Sequence, residues 1–119
     1  MQTLNRDKII AAKDLETEQV EVPEWGGSVL VRTMNGTERD AFEASFYVGR
    51  GKNREQNLEN LRARLVALVV VDEAGERVFT DEDTAALGQK SVKALDRIFE
   101  VAQRLNGIGP KDVEDLAGN

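Results

Sequence analysis

The residues in this sequence best able to do chemistry are carboxylates. Asp72, Glu73, Glu76, Asp81, Glu82 and Asp83 crowd into one short stretch, and such a cluster could hold a divalent cation. The order Asp72-Glu73-Ala74-Gly75 does not follow the ligand spacing of a helix-loop-helix calcium loop. A solvated turn followed by a helix start accounts for the same residues, because carboxylates in a first helical turn sit favourably against the helix dipole. The chain has no cysteine and no histidine. Thiolate nucleophiles, disulfides, thiolate metal sites and imidazole acid–base chemistry are therefore excluded. An enzyme built here would have to work with carboxylates and a metal, and no motif supports one. The expectation is a non-enzymatic protein with no cofactor and no metal. Gly49-Arg50-Gly51 and Gly107-Ile108-Gly109 lack the spacing of phosphate-binding loops, and the first follows a helix instead of a strand, so both read as hinges or helix caps.

Two features could serve a partner. Arg50, Lys52, Arg54, Arg62 and Arg64 make a locally basic segment in an acidic chain, suited to an acidic partner surface or to ordinary solvation. Trp25 stands between Pro23 and Gly26 at the tip of an expected hairpin. Buried, it would close one end of the core; exposed, it would be a binding anchor, since Trp is enriched at interface hot spots. Both readings stay open on the sequence.

The elements that must position these residues follow from patterning. With 119 residues the chain fits one domain, 1–119. Hydrophobic residues make up 40% of it and aromatics only 5%, so the core must be aliphatic. A short helix is expected over 5–13, capped by Asn5, with Ile9, Ile10 and Ala12 on one face; at that length it needs something to dock on. Val20-Glu21-Val22 and Val29-Leu30-Val31 predict a hairpin across Pro23–Ser28. Thr37 and Asp40 suggest the start of a helix running to Val48. Leu58, Leu61, Leu65 and Leu68 predict a helix over 55–70, whose end passes into a strand at Val69-Val70-Val71 paired with Arg77-Val78-Phe79. Thr80 and Asp83 predict a second helix start. Val92, Leu95, Phe99, Ala102 and Leu105, with Ile98 beside them, predict a helix over 90–105, and Pro110 opens a last short one to Ala117. The fold class expected is α+β, mostly helical, with an N-terminal β-hairpin packed on four to five helices.

A net charge of −6 repels a phosphate backbone, so nucleic acid is not an expected partner. No run of apolar residues is long enough to span a bilayer, and the start of the chain lacks the apolar core of a signal peptide, so no membrane is expected.

Val20-Glu21-Val22-Pro23-Glu24-Trp25-Gly26-Gly27 with Val29-Leu30-Val31-Arg32, then Gly36-Thr37-Glu38-Arg39-Asp40-Ala41-Phe42-Glu43, resembles the N-terminal hairpin and first long helix of tail assembly chaperones from long-tailed bacteriophages. Asn60 to Leu68, Val78 to Asp83 and Leu95 to Asn106 extend the likeness. It covers the chain from about Lys13 to Leu116. The resemblance implies a protein that acts in the host cell cytoplasm and is absent from the finished virion. It implies binding of the tape measure protein, which is kept soluble, and recruitment of tail tube subunits, the major tail protein. It also implies self-association as a further contact, and in many such phages a longer frameshifted product. The alternative is a structural head–tail connector or tail terminator subunit of the virion.

Overall fold

The computed structural model describes residues 2–49 and 51–108. Among them a three-stranded antiparallel sheet is covered on one face by helices, which makes the fold α+β as expected. The order along the chain is α1 (Arg6–Ala11), β1 (Thr17–Val22), β2 (Gly27–Arg32), α2 (Gly36–Ala44), β3 (Tyr47–Val48), β4 (Glu55–Gln56), α3 (Leu61–Val69), β5 (Val70–Val71), α4 (Thr84–Leu87) and α5 (Val92–Leu105). The expected helix from Pro110 to Ala117 lies outside the described residues.

The hairpin forms where the β-branched runs place it. β1 and β2 pair from Thr17 with Arg32 to Val22 with Gly27. Their connection is tighter than the expected one across Pro23–Ser28. Pro23–Trp25 makes one 3-10 turn, and Gly26 reverses the chain at φ +75°, a conformation open to glycine and strained for other residues. Val20, Val22 and Val31 point into the core, while Gln19, Ser28 and Leu30 share the opposite face.

Several boundaries differ from expectation, each for a local reason. α2 is capped by Asn35, not Thr37. The Asn35 side chain accepts from the Glu38 N–H at 2.8 Å, and Glu38 accepts from the Asn35 N–H at 3.0 Å, so the reciprocal box closes earlier. α2 stops at Ala44, where the Ser45 hydroxyl donates to the Phe42 carbonyl at 2.6 Å. The chain then turns into β3, which pairs with β4 through Tyr47 and Gln56. That ladder, extended by Asn57 N–H to Phe46 O at 2.6 Å, withdraws 55–60 from the expected helix. Asn60 sits at φ +55° just before α3, and Leu58 is left 41% exposed instead of joining the buried stripe. On α5, Val92 is likewise exposed; the buried face is Ala94, Leu95, Ile98 and Ala102, with Phe99 and Leu105 at its edges.

α3 is the centre of the core. Ala63 and every residue from Leu65 to Val69 are buried, and the helix packs on α5, α4 and α2. It runs without a loop into β5, where Leu30 faces Val71 and Val31 faces Val70. The expected return is also present: Val71 bridges Arg77, and the Val78 N–H donates to the Val70 carbonyl at 3.1 Å. Arg32 ties this arrangement together. It donates to both oxygens of Glu38 at 2.7 and 2.8 Å and to the Gly75 carbonyl at 3.0 Å, linking β2, α2 and the Asp72–Gly75 turn.

Ile98 is fully buried between α3 and the sheet. Ile98→Ala is expected to cost about 2–5 kcal/mol through lost burial and the cavity left behind, read as a lowered urea midpoint at unchanged slope.

Candidate protein-binding surfaces

The residues with partner potential are scattered by the fold. Trp25 is half-buried. Its ring packs against the core and also lines a groove at the hairpin tip, so neither sequence reading holds alone. Beside it, Glu24 accepts from Arg97 Nε on α5 at 2.9 and 3.1 Å. That hydrogen bond holds the Glu24 carboxyl below its ordinary range and pushes the Arg97 guanidinium up.

The basic segment is not one surface. Arg50 lies outside the described residues. Lys52 is exposed in the 3-10 turn Gly51–Asn53, and Arg54 is exposed with its guanidinium 4.2 Å above the Tyr47 ring. Arg62 and Arg64, two residues apart on a helix, point about 200° apart. Arg62 pairs with Asp96 on α5. Arg64 turns towards α2, donating to the Ser45 carbonyl and hydroxyl at 2.5 and 2.7 Å and to the Asn57 carbonyl at 2.6 Å. Burial pushes its pKa down, and its Nε is buried without a hydrogen-bond partner. Arg64 is therefore a clamp joining α2, α3 and the segment after β4.

The acidic stretch is occupied by local structure. The Asp72 carboxylate accepts from the N–H groups of Ala74 and Glu76 at 2.9 and 3.0 Å, Asp81 pairs with Arg77, and Asp83 accepts from the Thr80 N–H at 2.8 Å. Among the described residues no group of three carboxylates converges on a possible metal position. No helix among them is long and apolar enough to cross a membrane.

Among the concave surfaces of the described residues, two lie beside these side chains. One, about 300 Å³, lies between Phe42 on α2, Leu68 on α3 and Thr84, with Arg64 at its wall. The other, about 520 Å³, runs from the hairpin tip to the return after β5. It exists because β5 is only two residues long and pairs with Leu30 and Val31 alone, leaving Gly27–Val29 uncovered on that edge. Trp25, Leu30, Val71, Val78 and Phe79 give it apolar walls, and Asp72 and Glu73 stand at its rim. Patterning did not reveal this groove: Val78 and Phe79 read as strand, and its depth comes from where the ladder stops. A third apolar surface is α1. None of its residues is buried, and Ile9 and Ile10 are 55% and 72% exposed.

The described residues form a small α+β fold that carries apolar concavities and exposed aliphatic side chains. The model of the phage tail assembly chaperone family matches residues 6–119, and the chain belongs to that family, whose role is non-catalytic. Among solved structures, the bacteriophage HK97 tail assembly chaperone is similar, with a TM-score of 0.58 and 18% identity over 83% of this chain and 90% of that one; the likeness is one of fold. No curated protein sequence matches.

Two predictions follow the geometry. A carboxyl held below its ordinary value stabilises the fold above that value, near 4.5, and the contribution is lost as pH falls through the lower folded value. Glu24→Gln should therefore be slightly less stable than wild type at neutral pH, with the difference vanishing on acidification, in urea titrations across pH; a constant difference would contradict the pairing. Arg64→Met should cost about 1–3 kcal/mol by stranding its acceptors, whereas Arg54→Ala should stay within about 0.5 kcal/mol, both read by thermal unfolding.

Proposed function

We propose that this chain acts as a holdase in phage tail assembly. It binds the tape measure protein, keeps it soluble, and helps recruit tail tube subunits as they polymerise around it. It works in the host cytoplasm and leaves before the virion is complete. The observation that carries this reading is the family match along residues 6–119. The open apolar groove beside Trp25 and the exposed aliphatics of α1 support it, because a holdase must offer apolar surface to its client. The net charge of −6 keeps such a surface in solution. Many weak contacts along a long client would add through multivalency and still yield to the growing tube.

Co-expression of the tape measure protein with and without this chain tests the reading. The client is expected to shift several-fold towards the soluble fraction when the chain is present, and mass spectrometry of purified particles should not find the chain. Unchanged client solubility would remove the holdase role. Recovery of the chain in stoichiometric amounts from particles would make it a structural part of the virion.

A further inference from the structure

The sheet ends in an open edge at β1. Among the described residues this strand is hydrogen-bonded to β2 alone, in the order β1-β2-β5. One bond fixes which of its backbone groups turn outward. The Thr33 N–H donates to the Glu16 carbonyl at 2.8 Å, one step beyond the pairing of Thr17 with Arg32. Inward bonding alternates along an antiparallel ladder. Glu18, Val20 and Val22 therefore bond to β2, while Thr17, Gln19 and Glu21 aim their N–H and C=O groups away from the sheet. The side chains of those three residues are exposed. None of the residues of helix α1, which precedes β1, is buried, so α1 does not cover this edge.

An unpaired strand edge is a template for another strand, and charge states which strand fits this one. From Asp14 to Val31 the chain carries Asp14, Glu16, Glu18, Glu21 and Glu24 and no Lys or Arg. Glu18 and Glu24 are matched by Arg104 and Arg97 on α5. Asp14, Glu16 and Glu21 are exposed and pair with no cation among the described residues. The same edge on a second copy carries the same carboxylates, so pairing two β1 edges would set like charges against each other, which is destabilising. A strand bearing cations meets the opposite situation.

We infer that β1 takes up an extended segment of a partner protein as an added strand of the sheet, a segment in which Lys or Arg alternates with β-branched residues. Its backbone bonds the outward groups of Thr17, Gln19 and Glu21. Its cations lie against Glu21 on the solvent face and reach Glu16 and Asp14 at the start of the strand. Its apolar side chains extend the row of Val20 and Val22 on the other face. Backbone pairing supplies the attraction and the uncompensated carboxylates select the sign of the partner. The contact does not rest on the holdase reading.

Amide hydrogen exchange on the full chain, followed by NMR with a synthetic peptide of alternating lysine and valine, tests it. In the free chain the N–H groups of Thr17, Gln19 and Glu21 should exchange fast and those of Glu18, Val20 and Val22 slowly. The peptide should slow the first three several-fold and leave the second three nearly unchanged. A peptide with glutamate in place of lysine should have no effect. Glu21→Lys should weaken binding of the lysine peptide several-fold, with the difference shrinking at high salt. Gln19→Pro removes one outward N–H at an edge position that tolerates proline. It should abolish the protection, while slow exchange at Glu18 and Val22 shows that its hairpin is intact. Peptide binding without protection of Thr17, Gln19 and Glu21 would reduce the contact to charge alone and overturn the inference. Equal effects of the two peptides, or a Glu21→Lys chain that binds like wild type, would overturn it as well. Protection of the same three amides that rises with protein concentration in the absence of peptide would put a second copy on the edge and overturn the partner assignment. No tail protein enters the experiment, so the holdase reading stands or falls separately.

Discussion

Eleven consecutive residues, Leu61 to Val71, have to be a buried helix and then a buried strand with no turn between them. Everything else in the domain is arranged around that demand. The helix end at Val70 takes an extended conformation while its N–H still bonds the Val66 carbonyl, so the helical ladder finishes as the sheet ladder begins. Because Val70 and Val71 pair with Val31 and Leu30, the direction of α3 is set by the hairpin. Because α3 is buried nearly all round, α2, α4 and α5 must each cover part of it. A Val-rich run serves both roles, since β-branched residues cost a helix little and suit a strand.

Around this spine the apolar core is bordered by ionic pairs. α5 meets the hairpin through Arg97 with Glu24 and Arg104 with Glu18, and meets α3 through Arg62 with Asp96. Each is a surface pair, of little value alone at roughly 0–1 kcal/mol. Their common effect is to orient an amphipathic helix whose burial has already provided the attraction. They also absorb most of the cations that α3 and α5 carry, which leaves the carboxylates of the Asp72–Gly75 turn facing solvent beside an apolar groove.

That groove and the exposed helix α1 express one property of the fold. A chain with few aromatics and a modest aliphatic core closes its centre well and leaves apolar surface at both ends. In an isolated protein such surface is a liability. In a protein that assembles with others it is a binding resource, and an excess of negative charge keeps it soluble until a partner arrives.

The sequence by itself determined the hairpin, the return of the chain to Val71 through the Arg77 bridge, the start at Thr80 and the position of α5, because each rests on local chemistry: β-branched runs, a Pro-Gly turn, a capping box, an amphipathic stripe. It also determined the family, through the order of those pieces. Tertiary structure decided what local pattern could not. Leu58 and Val92 fit their helical stripes by spacing, but the β3–β4 ladder removes one and the geometry of α5 exposes the other. Arg62 and Arg64 look alike on paper; packing turned one to a partner on α5 and half-buried the other against two carbonyl-bearing segments. The groove at Trp25 depends on a strand ending after two residues. Such an ending is a balance between pairing with β2 and the tight turn begun by Asp72, and only the folded chain sets that balance.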